Sequence, residues 1–294
     1  MNKYDLLKKF FHKSWPDKKT SVHFVLRSMG NRLLKSFLLP IHLPYGGWWL
    51  GAIDGCRDAI VERRFEEAEW RFVRSFLRKG MTFVDIGAHH GFYTILAAKA
   101  VGSEGCVIAF EPSPRERRRL VANLRLNRCK KVKVEPFAAS GEEGEAPFFV
   151  VGGRQTAFNS LRPPAVSAPT QKIMVKTLTL DDYLENHRVQ RLDFVKIDAE
   201  GAELEILMGA QKSLGQKFKP LIMIEASDLR TSEWGYQSCK LRDTLSGFGY
   251  SWFTVGPEGR LQPYCNGTDQ YNFIAIPEEK LKVVDALMPP IEDR

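Results

Sequence analysis

The stretch Phe83-Val84-Asp85-Ile86-Gly87-Ala88-His89-His90-Gly91-Phe92-Tyr93-Thr94 constrains this chain more than any other. An apolar run from Met81 leads into Asp85, a Gly-x-x-x-Gly turn follows, and the helix formers Thr94 to Ala100 come next. That order reads as a buried strand, a tight turn and a helix start. Gly87 and Gly91 allow positive φ in the turn and let a ligand approach bare backbone. The helix beyond them offers unpaired N–H groups.

The spacing separates two kinds of nucleoside ligand. A dinucleotide fingerprint places three glycines as G-x-G-x-x-G, so that a pyrophosphate meets backbone. Here Asp85 stands two residues before Gly87, and an acid there suits a positively charged ligand and repels a pyrophosphate. S-adenosylmethionine (SAM), with its ammonium and sulfonium, is such a ligand. A second apolar strand, Gly105 to Phe110, ends in Glu111, twenty residues after Gly91, where an acid accepts the ribose hydroxyls.

From Met81 onward, strands at 81–86, 105–110, 132–137, 192–198 and 220–226 alternate with helices near 92–101, 114–127 and 202–212. Alternation of this kind means a parallel sheet covered by helices on both faces. Residues 145–180 break it as an inserted β-hairpin with a mobile, Gly- and Pro-rich tip. Tyr250–Val255 and Tyr271–Ile276, flanking the turn at Gly256-Pro257-Glu258-Gly259, read as a closing strand pair. Upstream, 62–79 reads as one helix stopped at Gly80.

With these pieces the chain resembles the FkbM family of SAM-dependent methyltransferases over about residues 62–278. The marks are Asp85-Ile86-Gly87-Ala88 through Gly91 and Thr94, Phe110-Glu111-Pro112, Asn123-Leu124 with Asn127, Ala138-Ala139-Ser140, Asn159-Ser160-Leu161 and Thr179-Leu180-Asp181-Asp182. Most specific is Asp193 to Glu203, trailed by Gly209-Ala210 and Glu225. His89 departs from the family's commonest turn, which has Asn there. The resemblance implies a class I, Rossmann-like fold: a seven-stranded, mostly parallel sheet with its last strand antiparallel. It also implies methyl transfer to oxygen, on sugars, glycolipids or polyketide-like compounds. The expected organisation is a basic helical extension and connector (1–61), the methyltransferase domain (62–280) and a tail (281–294).

The cofactor contacts expected are Asp85, Gly87, Ala88, His89, Gly91, Thr94, Glu111, Pro112, Ala138, Ala139 and Asp198, with the two alanines ending the third strand beside the adenine. Methyl transfer is an in-line displacement in which the enzyme mainly aligns, and an alcohol needs its proton taken. Asp198, Glu200 and His89 are the candidate bases by location, with Glu200 as a helix cap and His89 as a plain turn residue the alternatives. Lys196, in mid-strand, needs a partner if buried, and Glu225 is the candidate. Asp198, Glu225 and Asp228 raise the question of a divalent ion; acids at strand ends are common without one, and no metal is expected.

Charge is uneven. Residues 1–40 hold nine Lys or Arg against Asp5 and Asp17, so +7 of the net +8 lies there. With Leu6, Leu7, Phe10 and Phe11 among lysines, and a second amphipathic stretch over 21–39, this segment suits either packing on its own domain or peripheral contact with an anionic membrane. A nucleic-acid methyltransferase is the alternative the basic balance suggests. The place after the fourth strand holds Asp198-Ala199-Glu200-Gly201 rather than an Asn/Asp-Pro-Pro-aromatic turn, and acids at the mouth repel phosphate. A non-catalytic SAM-binding module is a further alternative. Five scattered cysteines with no C-x-x-C pair fit a reducing, cytoplasmic setting, and no run is long enough to span a bilayer.

Overall fold

A computed structural model describes residues 40–264 and 271–287. The expectations for residues 1–39 lie outside the described residues. The described chain opens with a small antiparallel ladder, β1 (Ile41–His42) on β2 (Trp48–Trp49), then α1 (Gly55–Val61) and α2 (Glu67–Phe76). The alternating region follows as β3 (Thr82–Ile86), α3 (Phe92–Val101), β4 (Cys106–Phe110), α4 (Pro114–Leu126) and β5 (Lys133–Glu135). An insertion of β6 (Ala138–Ala139), β7 (Gly144–Val151) and β8 (Thr170–Leu178) precedes α5 (Leu180–Asn186), β9 (Phe194–Ile197), α6 (Glu203–Met208), α7 (Gln211–Gly215) and β10 (Leu221–Glu225). The chain continues as α8 (Asp228–Thr231), α9 (Cys239–Gly247), β11 (Tyr250–Val255), β12 (Leu261–Pro263), β13 (Asn272–Pro277) and α10 (Leu281–Leu287).

The central sheet runs β12-β11-β13-β10-β9-β3-β4-β5. Strands β5, β4, β3, β9 and β10 are mutually parallel, and β13 is antiparallel to β10 and β11. This is the expected class I methyltransferase sheet with one strand added. The eighth strand, β12, pairs antiparallel with β11, Val255 opposite Leu261. Pro263 disguised it in the sequence, because proline is tolerated only at such an edge.

Strand periodicity divides the core into two layers. Phe83, Phe194, Leu221 and Met223 face one cluster with Trp70, Phe72, Ile95 and Ile274. Val84, Ile86, Ile108, Val195 and Ile222 face the other, with Tyr183, Ile206 and Leu245. The parallel strands are therefore apolar on both faces, which is why they read as continuous runs. Phe83 and Phe194, both fully buried, stack at 5.4 Å across β3 and β9. Each contributes roughly 1.5–3 kcal/mol by burial.

Several expectations need correction. The 62–79 helix starts only at Glu67, because Arg63 and Glu66 take left-handed φ of 58° and 42°. That kink seats Phe65 on Phe92, ring centroids 4.8 Å apart, and turns Glu66 into the cavity described below. The 202–212 helix breaks at Gly209, where a Cβ would lie 2.2 Å from the Ser140 carbonyl. Ala138 and Ala139 do not end the third strand: they pair parallel with β8 in a three-stranded sheet with the hairpin. The boundaries at 61 and 280 are not structural ones, since Ile41, Leu43, Trp49, Ile60 and Val284 share the core of α2 and α3.

The hairpin tip is pinned rather than free. Arg154 pairs with Asp58, Thr156 donates to Asp54 (2.5 Å), and the Ser160 hydroxyl donates to the Glu200 carbonyl (3.0 Å). Among the described residues no helix is long and apolar enough to cross a membrane.

Candidate functional site

A cavity opens beyond the carboxyl ends of β3, β4, β9 and β10, walled by the hairpin tip (Ala157, Asn159, Leu161) and by the connector (Trp49, Cys56, Ile60, Phe65, Glu66). Open α/β sheets bind ligands at this edge. On its floor are Asp85, Gly87, Ala88, His89, Glu111 and Pro112, and Ala138, Ala139 and Asp198 line its sides.

The turn glycines serve the protein's own packing. At Gly87 (φ 77°) a Cβ would lie 1.8 Å from the Asp198 carbonyl, and at Gly91 (φ 89°) one would lie 2.4 Å from Leu120. Gly91 and Thr94 do not line the cavity, a correction to both as direct contacts. Thr94 stands behind Asp85 and donates its hydroxyl to Oδ2 at 2.5 Å. Asp85 is 1% exposed, and its Oδ1, 4.0 Å from Lys196 Nζ, has no hydrogen-bond partner. Burial raises its pKa and Lys196 opposes the rise.

Glu111 closes β4. Its Oε2 accepts from the His89 backbone N–H (2.8 Å) and its Oε1 from that of Ser113 (2.9 Å). Burial, with Glu116 nearby, pushes its carboxyl up to about 8.

At the opposite end Lys196 pairs with Asp198 (2.9 Å) and, at 4.0 Å, with Asp85. Glu225 is therefore not its partner. Burial works against the Lys196 charge, but Asp198, Asp85 and Glu66 outweigh it and raise its pKa. Glu200 is an ion pair with Arg230 (Nε to Oε2, 2.8 Å), set off the hydrogen-bonding direction. It is not the cap of the next helix: Glu203 Oε1 accepts from the N–H groups of Ala199 (2.9 Å) and Gly201 (3.3 Å).

Asp198, Glu200 and Glu225 each bring a carboxylate oxygen within 4.8 Å of the others. Asp198 has Lys196 and Glu200 has Arg230, whereas Glu225 Oε2 is buried with no hydrogen-bond partner. Burial first, then the charges of Asp198 and Glu200, raise the Glu225 pKa well above the ordinary carboxylate value. Asp228 stands apart, its side chain accepting from the Ser238 N–H (2.6 Å).

His89, with φ 49°, turns its ring toward the hairpin, Nε2 lying 3.3 Å from Thr156 Oγ1. Because that hydroxyl donates to Asp54, it accepts from His89, which places the imidazole proton on Nε2. Burial, then His90, holds the His89 pKa well down, so the ring is neutral. His90 is 1% exposed, stacks on His89 at 3.6 Å and lies 3.8 Å from Glu116.

Asp54, Glu66, Thr156 and Arg230 were not legible as site residues. Each sits in a segment whose sequence carries no motif, and only tertiary contact brings it here.

The profile of the methyltransferase FkbM domain matches residues 85–252, more than half of the chain. The chain belongs to the FkbM methyltransferase family. Among characterised relatives it is similar to the AMB antimetabolite synthetase AmbE of Pseudomonas aeruginosa, 26% identical over 228 residues, 66% of this chain and 10% of that one. The chain thus spans about a tenth of that relative's length. Two solved structures are similar: a precorrin-6y C5,15-methyltransferase from Geobacter metallireducens (16% identity, TM-score 0.42, covering 73% of this chain and 88% of that one), and a SAM-dependent O-methyltransferase from Thermotoga maritima (15%, 0.41, 81% and 76%). Likenesses this distant carry no chemistry across.

The cofactor of this FkbM methyltransferase is SAM, and the cavity fits it. Each Glu111 oxygen accepts one backbone N–H, which leaves each a lone pair for a ribose hydroxyl. Asp85 presents an orphaned buried oxygen, and the acids beside it suit a cationic ligand.

Proposed function

We propose that the protein methylates a hydroxyl oxygen on a small-molecule, sugar or glycolipid acceptor, with Glu225 taking the hydroxyl proton. One observation carries the reading: of the three carboxylates gathered beside the cofactor cavity, Glu225 alone has no cation or backbone donor on its buried oxygen. SAM supplies an electrophilic methyl group on a sulfonium. An alcohol competes for such a carbon only when its proton leaves, and a carboxylate with a raised pKa is the stronger base for that task.

The other groups position. Lys196 pairs with Asp198 and Arg230 with Glu200, which leaves Glu225 as the carboxylate of the three without a cation beside it. The hairpin tip and connector close over the site with Trp49, Phe65, Phe148 and Leu161 among their lining residues. An apolar cover excludes water and strengthens the electrostatics inside. Three acids at the mouth disfavour a polyphosphate backbone as acceptor.

The test is formation of S-adenosylhomocysteine with a panel of sugar, glycolipid and phenolic or aliphatic hydroxyl acceptors, followed by mass spectrometry of the product. Methylated oxygen in wild type and its loss in Glu225→Gln supports the reading. A product methylated on nitrogen or carbon, or full turnover by Glu225→Gln, overturns it.

A further inference from the structure

Glu66 is a half-buried carboxylate that the residues of the family match do not include, because it precedes them in the chain. It occupies a left-handed backbone conformation (φ 42°, ψ 48°) as the first residue before α2. A side-chain-bearing residue held there stores strain of order 1–3 kcal/mol, and such residues cluster where a ligand is clamped. The strain turns the carboxylate into the cofactor cavity rather than toward solvent. Its only hydrogen-bond donor among the described residues is neutral: the Tyr93 hydroxyl, 2.7 Å from Oε2.

The surrounding charges show what is missing. From β9 and the turn after it come Lys196 and Asp198, from α3 Tyr93, from α1 Cys56 and from its own helix Glu69, with Asp85 of β3 sharing Lys196. The one lysine is 2.9 Å from Asp198 and 4.0 Å from Asp85, and its ammonium lies over the Tyr93 ring at 5.5 Å. It is thus committed to the two aspartates. This end of the cavity holds three carboxylates, those of Glu66, Asp85 and Asp198, against one lysine, Lys196, so among the described residues lining it the acids outnumber the cations.

Glu111 marks the ribose end, and Ala138 with Ala139 the side beyond it. With the ribose on Glu111, the amino-acid arm of SAM would run in the other direction, toward the acids. We propose that Glu66 receives the α-ammonium of that arm and so acts as a specificity residue for the amino-acid portion of the cofactor. The inference rests on the cofactor and not on the acceptor, so it stands or falls apart from the O-methylation reading. Burial pushes the free Glu66 carboxyl up to about 7; an ammonium alongside favours the ionised form, so binding is coupled to proton release.

Calorimetric titration with S-adenosylhomocysteine, which keeps the ammonium but lacks the sulfonium, tests this against 5′-methylthioadenosine, which lacks the whole arm. Glu66→Gln keeps the side-chain size and an acceptor for Tyr93. The variant is expected to bind S-adenosylhomocysteine at least about tenfold more weakly, with methylthioadenosine within about twofold of wild type. Unchanged binding of S-adenosylhomocysteine, or an equal loss for both ligands, overturns the proposal, the second outcome marking a structural role. Wild type alone gives an independent reading should the variant not fold. Its affinity for S-adenosylhomocysteine, relative to methylthioadenosine, is expected to fall as the pH drops from 7.5 to 5.5. A flat ratio overturns the assignment.

Discussion

The two ends of the cavity are assembled by different means. At the cofactor end Asp85, Gly87, Ala88, His89 and Thr94 come from ten consecutive residues, and Glu111 follows on the neighbouring strand. Their geometry is set by one turn and one β3–β4 pairing, Ile86 beside Phe110. At the proposed acceptor end Glu225 closes β10, Glu200 follows β9, Arg230 belongs to α8, and Ser160 of the hairpin ties its hydroxyl to the Glu200 carbonyl. No local pattern places these groups together. The first end is a property of short-range backbone geometry and the second of long-range packing, so changes at the two ends should separate binding from turnover.

The largest separation is expected at Glu225. Glu225→Gln should lower kcat by roughly 10²–10⁴-fold while leaving the SAM affinity within about twofold, read by steady-state kinetics beside calorimetry. A parallel loss of SAM affinity would mean that the two ends act as one unit. Next comes Glu111→Ala, which should weaken SAM by about 100-fold, on the order of 2.7 kcal/mol, as two charge-assisted bonds to ribose disappear. If this variant binds SAM normally and only slows turnover, the ribose assignment fails.

The apo protein offers a comparison that needs no ligand. Glu66 and Glu203 are raised to about 7 and Glu111 to about 8, each chiefly by burial. Between the ordinary carboxylate pKa near 4.5 and these values the native state holds protons that the unfolded chain has released. Stability is therefore greatest below the ordinary value and falls as pH rises through 7 to 8. The apo melting temperature should drop by roughly 5 °C or more from pH 5 to pH 8, and Glu66→Gln should flatten part of that slope. Burial of neutral His89 and His90 works the other way below the ordinary imidazole pKa, so a melting temperature that rises over this range would mean that the histidines outweigh the acids.

The smallest effect is expected at the exposed rim, where the Arg162 guanidinium lies 4.5 Å over the Trp234 ring. An exposed contact of this type contributes about 0.5–1 kcal/mol. Arg162→Ala should lower the melting temperature by no more than a few degrees and leave SAM binding unchanged. A tenfold change in acceptor KM would instead assign Arg162 to the acceptor site.

The particular residues show where reading the chain stopped. Lys196 pairs with Asp198 at 2.9 Å, whereas the sequence points to Glu225, because nothing in it tells which of several acids at neighbouring strand ends reaches a given lysine. Glu200 is a candidate base by location, and an arginine thirty residues further on pairs with it. The 62–79 helix looked continuous because its apolar spacing is helical. The left-handed residues Arg63 and Glu66 interrupt it, and that interruption puts a carboxylate into the cavity.

The sequence by itself determined the order of strands and helices, the SAM turn, the acid at the end of β4 and the membership of the FkbM family. These depend on hydrophobic periodicity and on backbone conformations fixed within a few residues, both of which are written locally. Only the tertiary structure decided which charges are compensated, that Thr156 links Asp54 to His89, that the hairpin tip is pinned, and that Glu66 and Glu225 line the cavity without a bonded cation. A buried charge is defined by its partners, and here partners up to a hundred residues away are brought within hydrogen-bond reach only once the sheet, the hairpin and the connector have packed.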